Sequence, residues 1–253
     1  MSGPLLAGEG LTIRYGGVVA VDGVDIEVAP GQLVGLIGPN GAGKTSLIDG
    51  ISGFAPMSGR LMLDGQDIQG RRAHQRTRLG VARSWQSVEL FEELTILENL
   101  QVAADRPSWA HVALDLVKLR PYRLPAAEQA LERVGIADLA GAMPRDLSHG
   151  QQVLAGVART LATGPRLALM DEPGAGLDHN ESADLGRRLR ALVADGLSIL
   201  LVDHDMDLVL SSCDQIYVLD FGRLIAQGTP AEIRTDPTVV AAYLGEPAAE
   251  VSA

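Results

Sequence analysis

The sequence predicts an α/β fold with a largely parallel sheet. Three apolar runs lack the alternation that a strand with one solvated face would show, and they are Leu33–Ile37, Leu167–Met170 and Ser198–Val202. Continuous runs of this length are typical of parallel strands covered on both faces. Amphipathic helical patterns separate the runs, one following Ser148 and another ending at Gly196. Strands that alternate with helices in this way indicate the α/β class.

Three further segments complete the predicted architecture. Residues 11–27 alternate between polar and apolar side chains, which predicts an antiparallel β patch. Residues 87–147 carry helical patches such as Ala126–Val134 and lack convincing strands, so we expect a helical subdomain inserted within the α/β core. Residues 228–253 predict a helical tail, because Thr229 begins a capping box with proline at the first helical position.

Composition and charge limit the functions that the chain can have. A chain of 253 residues with 46% hydrophobic residues can bury a substantial core in one or two domains. The net charge of −11 argues against a nucleic-acid surface as the main function. The single cysteine excludes an internal disulfide and fits a reducing compartment. We expect neither a secretory signal nor a membrane span, since no suitable apolar run is present.

The segment GPNGAGKTS at residues 38–46 fits the phosphate-binding pattern G-x-x-x-x-G-K-[ST]. It follows a predicted buried strand and precedes a helical pattern, which is the context that the pattern requires. Glycines let backbone N–H groups approach phosphate oxygens, and a helix N-terminus adds a positive partial charge. We therefore expect Lys44 to reach the β- and γ-phosphates of a nucleotide and the Thr45 hydroxyl to bind Mg²⁺.

Two carboxylates follow the second apolar run, at the sheet edge where open α/β proteins bind their ligands. Asp171 suits the Mg²⁺ shell, and Glu172 suits a base that orients and deprotonates the attacking water. Taken alone, an Asp-Glu pair here is often only the end of a strand. The phosphate loop upstream favours the functional interpretation.

Four polar or aromatic residues elsewhere are weaker candidates. Ser148 predicts a helix N-cap, and the first-turn N–H groups behind it are a candidate clamp for a γ-phosphate. Gln86 opens the helical insertion, although a lone glutamine is usually a surface residue. His204 follows a buried strand, where a lone histidine is more often structural. Tyr15 precedes the phosphate loop and either stacks on a base or packs in the core.

The order of these residues resembles that of an ABC transporter ATP-binding subunit. Tyr15, GPNGAGKT, Gln86, LSHGQ, LALMDE, Gly176-Leu177-Asp178 and His204 stand in the order of its A-loop, Walker A, Q-loop, signature, Walker B, D-loop and H-loop. The resemblance covers the whole chain and implies a single nucleotide-binding domain over residues 1–253. The segments RYGGVVAVDGVDIEV, LVDHDMDLVL and GTPAEIR look like those of branched-chain amino acid importer ATPases, and urea importer ATPases are the nearest alternative.

The resemblance implies an ATPase that uses ATP and Mg²⁺. Glu172, His204 and Gln86 are expected to support hydrolysis, and Thr45, Gln86 and Asp171 are expected to hold Mg²⁺. Glu172 argues against a nucleotide-binding regulator without turnover.

The resemblance also implies a head-to-tail dimer with two ATP sites at its interface. Ser148 and Gly150 of one subunit would complete the site of the other, and Asp178 would bridge the two. The residues expected to contact the nucleotide are Tyr15, Gly38, Pro39, Asn40, Gly41, Ala42, Gly43, Lys44, Thr45, Ser46, Ser148, Gly150, Gln151 and Asp178.

The partners that the resemblance implies are membrane permease subunits, a second ATPase subunit or a second copy of this chain, and an extracytoplasmic substrate-binding protein. The chain would then act at the cytoplasmic face of the cell membrane and bind no nucleic acid. Two departures stand out: His149 replaces the usual glycine of the signature, and the insertion looks shorter than in many branched-chain members.

Other functions stay open or are disfavoured by the residues present. A lipid exporter ATPase remains an alternative, as does a non-transport ABC ATPase, although the latter usually has a coiled-coil insertion or two cassettes. The segment DFG at residues 220–222 does not indicate a protein kinase, because the other kinase motifs are missing. It follows an alternating strand and predicts a turn.

Overall fold

The computed structural model describes residues 3–84, 90–104 and 125–244. The chain divides into two compact units. One unit comprises residues 1–86 and 166–253, and the other comprises residues 87–165.

A six-stranded sheet forms the centre of the first unit, in the order β10-β9-β3-β8-β7-β6. Its strands are β3 (Leu33–Ile37), β6 (Val81–Arg83), β7 (Leu167–Asp171), β8 (Ser198–Val202), β9 (Gln215–Asp220) and β10 (Arg223–Gly228). Neighbours pair in parallel except for the antiparallel pair of β9 and β10. The predicted α/β class is confirmed, and β7 extends one residue beyond its predicted end because Asp171 pairs with Val202.

A second, antiparallel sheet has the order β2-β1-β4-β5. Its strands are β1 (Leu6–Tyr15), β2 (Val18–Val28), β4 (Met57–Leu63) and β5 (Gln66–Asp67). The predicted antiparallel patch is present and begins earlier than its predicted start at residue 11. The pairing of β1 with β4 was outside the prediction.

Helices lie between most of the successive parallel strands of the central sheet along the chain. In chain order they are α1 (Lys44–Ser52), α2 (Ala73–Arg78), α3 (Ile96–Ala104), α4 (Pro125–Val134), α5 (His149–Ala162), α6 (His179–Ala194), α7 (Met206–Ser212), α8 (Pro230–Thr235) and α9 (Pro237–Leu244). Short 3₁₀ helices occupy Ala137–Leu139 and Pro144–Asp146. The predicted capping box at Thr229 begins α8, with the Thr229 hydroxyl accepting from the N–H of Glu232.

One hydrophobic cluster joins the two sheets to α1 in the first unit. Ile13 of β1, Leu36 of β3 and Ile48 of α1 are fully buried in it. Burying an aliphatic side chain of this kind contributes about 1.5–3 kcal/mol relative to leaving it exposed. The cluster therefore fixes the position of α1, and with it the loop that precedes α1.

The described part of the second unit, residues 90–104 and 125–165, contains helices and no strand. Helices α3, α4 and α5 pack on one another through buried side chains such as Leu100, Leu131 and Val153. The helix predicted over Ala126–Val134 is present as α4 and begins one residue earlier, at Pro125. The predicted insertion boundaries, 87 and 147, stay a prediction, as does the treatment of residues 228–253 as a separate tail.

No helix within residues 3–84, 90–104 and 125–244 is long and apolar enough to cross a membrane.

Candidate functional site

The loop between β3 and α1 is shaped by two glycines that no other residue could replace. Gly38 has φ 150° and Gly43 has φ 99°, both in a region that side chains rarely tolerate. A Cβ atom on Gly38 would lie 2.1 Å from the Leu219 carbonyl oxygen, and one on Gly43 would lie 2.4 Å from the Ala20 carbonyl oxygen. The loop is thus packed backbone against backbone, which leaves its other side open.

Helix α1 begins without a side-chain cap. Its N-cap is Gly43, and its first turn contains no acidic residue. By contrast, Asp178 caps α6 and Asp205 caps α7 with carboxylates. The first N–H groups of a helix need partners, so those of α1 are available to an anion.

A pocket of about 220 Å³ lies at this helix start. It is lined by Ala20, Asn40, Gly41, Ala42, Gly43, Lys44, Thr45, Ser46 and Glu172. Apart from Ala20, every one of these residues was predicted from the sequence as a site residue. The pocket brings the phosphate loop and the end of β7 together within the first unit.

The Lys44 ammonium is held inside the loop. Its Nζ donates to the carbonyl oxygens of Gly38 at 2.7 Å and Pro39 at 3.1 Å, and the residue is only 6% exposed. Burial lowers the pKa of Lys44 below its usual value, while the charges of Glu172 and Asp171 oppose that shift. The loop therefore contains a positive charge that is held in place by two backbone carbonyl oxygens.

Asp171 lies at the carboxyl end of β7 and is buried. Its Oδ2 accepts from Arg83 Nη2 at 2.8 Å, and the same guanidinium also pairs with Asp49 of α1. Asp171 Oδ1 is buried too, and it accepts no hydrogen bond from the described residues. A buried carboxylate oxygen without a partner is costly, so Asp171 has one oxygen fixed and one available to a ligand.

Glu172 has φ 49°, an uncommon backbone conformation for a residue with a side chain. Its N–H donates to the Val202 carbonyl at 2.7 Å, which holds this turn against the end of β8. His204 follows β8 and its side chain is 60% exposed. Asp178 accepts from the N–H groups of Asn180 and Glu181 as the N-cap of α6.

One tyrosine from each end of the chain bears on the interpretation of this site. Tyr15 is 45% exposed at the end of β1, so it is not the core aromatic that one interpretation of the sequence allowed. Burial raises the pKa of Tyr243 on α9, and the backbone of Gly38 lies close enough to its hydroxyl to oppose that shift. The contact of α9 with the phosphate loop had no signal in the sequence.

The second unit carries the predicted residues Ser148, Gly150 and Gln151. Ser148 is the N-cap of α5, as predicted, and its hydroxyl accepts from the Gln151 N–H at 3.2 Å. The Gln151 side chain in turn accepts from the Ser148 N–H at 2.9 Å, which completes a capping box. Gly150 lies half-buried in the first turn. Gln86, predicted for both hydrolysis and Mg²⁺, lies outside the described residues.

Two functional candidates escaped the sequence reasoning, Arg83 and Asp203. Arg83 is a single cation at the end of a three-residue strand, and no local pattern marks it. Asp203 is fully buried directly after β8. A signal for it existed, because ILLVD ends in aspartate just as LALMD does.

Comparison with known proteins identifies the chain. Residues 21–175 match the ABC transporter family. The chain belongs to this family. It is an ATP-binding component of a transporter and an ATP-hydrolysing enzyme, and residues 223–249 additionally match the family described as branched-chain amino acid ATP-binding cassette transporter.

Relatives of this ABC transporter ATPase match nearly the whole chain. It is 41% identical to the high-affinity branched-chain amino acid transport ATP-binding protein BraF of Pseudomonas aeruginosa, over 97% of this chain and 100% of the relative. It is 34% identical to the lipopolysaccharide export system ATP-binding protein LptB of Escherichia coli, over 95% of this chain and 97% of the relative. A crystal structure of a nucleotide-free ATP-binding cassette from an ABC transporter superposes with a TM-score of 0.85 at 31% identity, covering 96% of this chain and 100% of that chain.

Proposed function

We propose that this ABC ATPase energises an importer for branched-chain amino acids. The observation that carries the proposal is the C-terminal match to the branched-chain amino acid cassette family, over β10, α8 and α9. Greater identity to the branched-chain amino acid protein than to the lipopolysaccharide export protein supports import over lipid export.

Nucleotide would bind with its phosphates at the start of α1. The open N–H groups of the first turn and the Lys44 ammonium supply positive charge in a chain of net charge −11. The phosphates would therefore be held by these local groups and not by a positively charged protein surface. The exposed Tyr15 ring would support the base, and Asn40, Gly41 and Ser46 line the same pocket.

Mg²⁺ fits the residues present at this site. Asp171 Oδ1 is buried and accepts nothing from the described residues, and the Thr45 hydroxyl belongs to the pocket. No group of three or more His, Cys, Asp or Glu side chains in the described ranges is arranged to hold a metal ion. Mg²⁺ commonly takes one or two protein ligands and completes its shell with phosphates and water. When bound, the ion would neutralise phosphate charge.

Glu172 would orient and deprotonate the attacking water, since it lines the pocket directly after Asp171. His204 would contribute at the γ-phosphate. Gln86 is proposed to link the Mg²⁺ site to the second unit on the strength of the family resemblance alone.

The assembly proposed is a head-to-tail pair of ATPases beneath two permeases, with an extracytoplasmic binding protein. Ser148, Gly150 and Gln151 of one ATPase would face the nucleotide of the other, and Asp178 would lie at their boundary. The pair is either two copies of this chain or this chain with a second cassette. The proposed place of action is the cytoplasmic face of the membrane.

The test is ATPase measured in the transporter reconstituted with its permeases and binding protein in lipid vesicles. Binding protein loaded with leucine should stimulate ATP hydrolysis and leucine uptake, whereas binding protein with urea should not. Stimulation by urea would instead identify urea as the transported substrate. Hydrolysis that needs no binding protein and moves lipid outward would instead make the chain an exporter ATPase.

A further inference from the structure

Asp203 is a carboxylate with no exposed surface, placed immediately after β8. Its Oδ2 accepts from the Gly174 N–H at 2.8 Å, and its Oδ1 accepts from the Asp205 N–H at 3.0 Å. Backbone hydrogen bonds to a charged acceptor are among the stronger ones in proteins. The buried charge is therefore used to join two loops.

The loops joined are those that follow β7 and β8. Gly174 comes two residues after Glu172, in a turn where the Ala175 N–H donates to the Glu172 carbonyl at 3.2 Å. Asp205 comes one residue after His204 and begins α7 as its N-cap. One side chain thus contacts the backbone two residues after Glu172 and one residue after His204.

The fit at Gly174 is close. A Cβ atom there would lie 2.8 Å from Asp203 Oδ2 and 3.1 Å from Leu208 Cδ2. The first distance is shorter than side chains tolerate, so glycine at 174 and aspartate at 203 depend on each other. The dependence comes from space, because Gly174 does not have a positive φ.

Asp205, the residue that follows His204, makes a separate set of hydrogen bonds. Asp205 accepts from the N–H groups of Asp207 and Leu208, and its Oδ2 accepts from the Ser182 hydroxyl at 2.5 Å. Burial raises the pKa of Asp205, but these hydrogen bonds outweigh it and hold that pKa below its usual value. Asp205 therefore secures α7 to α6, and the tie between the two loops falls to Asp203.

We propose that Asp203 is a positioning residue for ATP hydrolysis, which holds Glu172 and His204 at the spacing that the attacking water requires. The proposal rests on the proposed roles of those two residues. The residues that hold phosphate are anchored separately, through α1 and through the carbonyls of Gly38 and Pro39. Loss of Asp203 should therefore affect turnover and leave nucleotide binding in place.

The first experiment compares Asp203→Asn with Asp214→Asn in the reconstituted transporter. Asparagine keeps the size of the side chain, but its NH₂ group must face one of the two backbone donors. We expect kcat to fall about 10- to 100-fold, because a small misplacement of reacting groups causes losses of this size. KM for ATP should stay within about three-fold of wild type. Asp214 is the matched control, because it accepts from the Leu33 N–H at 2.9 Å at the opposite edge of the sheet. Asp214→Asn should lower the melting temperature and leave kcat unchanged.

The second experiment is a double-mutant cycle. Gly174→Ala alone should lower kcat because its Cβ displaces the Asp203 carboxylate, whereas in the Asp203→Ala background the same change should cost less than about two-fold. Additive effects would overturn the coupling. A wild-type kcat in Asp203→Asn, or a fall in kcat no larger than in Asp214→Asn at equal loss of melting temperature, would overturn the positioning role. Glu172→Gln is assayed alongside: if it still hydrolyses ATP, the proposed function fails at its base, independently of Asp203.

Discussion

Arg83 and Asp171 form a buried ion pair at the ends of neighbouring strands, with 2.8 Å between Nη2 and Oδ2. Both side chains are almost entirely removed from solvent, at 6% and 3% exposure. Removing one partner of such a pair leaves a buried charge uncompensated, which costs about 3–5 kcal/mol.

Arg83→Gln is therefore expected to lower the free energy of unfolding by about 3–5 kcal/mol, measured by urea titration. Arg166→Gln is the matched control, since its pair with Asp64 is at least half exposed and such pairs contribute about 0–1 kcal/mol. Equal destabilisation of the two variants would contradict a structural role for the Arg83 pair.

Asp171→Asn tests the metal assignment through binding alone. We expect the affinity for ATP to fall in Mg²⁺ and to stay near wild type in EDTA, because only the metal-dependent part uses Asp171 Oδ1. Fluorescent-nucleotide displacement in both buffers measures this. If the variant loses equal affinity in Mg²⁺ and in EDTA, Asp171 acts on the nucleotide or the fold and not on the ion.

Glu172→Gln should bind ATP normally and hydrolyse it about 10²–10⁴-fold more slowly, the usual contribution of a general base. The variant should also trap an ATP-bound dimer, visible by size-exclusion chromatography. Steady-state ATPase in the assembled transporter gives the rate. A rate near wild type would remove Glu172 from the role, and Glu181→Gln on α6 supplies the control for loss of one acidic side chain elsewhere.

His149→Gly should leave ATPase within about a few-fold of wild type and its pH profile unshifted. His149 is the exposed first residue of α5, so replacing its side chain leaves no cavity in the core. Ser148→Ala is assayed for comparison, because it removes the N-cap of the same helix and should cost about 1 kcal/mol of stability. If the glycine variant loses an acid-side limb of the pH profile that wild type has, the imidazole contacts the nucleotide.

Cys213 should label slowly in the folded protein and quickly in urea. It is the chain's single cysteine, it is 7% exposed, and burial raises the pKa of its thiol, so little reactive thiolate is present. We expect modification by a thiol reagent to be at least about 100-fold slower in the native state than in the unfolded state, tracking the open fraction. If the folded protein is labelled stoichiometrically as fast as the protein unfolded in urea, the thiol is not protected and the prediction is wrong.

The sequence was sufficient for the features that repeat along the chain or follow a fixed spacing. The runs Leu33–Ile37 and Ser198–Val202 are strands with the predicted ends, and Ser148 is the predicted N-cap. Strand β6 escaped prediction because three residues are too short for a period, and it becomes a strand only by pairing with β7.

The site residues also differ in how far they could be predicted from the sequence. Lys44 and Thr45 lie within a motif that is contiguous in the sequence, so their neighbours could be inferred directly. Arg83 and Asp203 act on partners that are distant along the chain, Asp171 and Gly174, and only the folded sheet brings them together. The sequence marks Asp203 as an aspartate at a strand end, but it does not reveal the partner of either residue.

The Gly38 backbone lies close enough to the Tyr243 hydroxyl to act on its pKa, so the far end of the chain is a neighbour of the phosphate loop. Loop and tail must then be exchanged together when cassettes are recombined between relatives. A chimera that takes α9 from another member inherits whatever that helix presents to Gly38. We therefore expect a fusion joined after α9 to disturb the nucleotide loop more than one joined at the N-terminus.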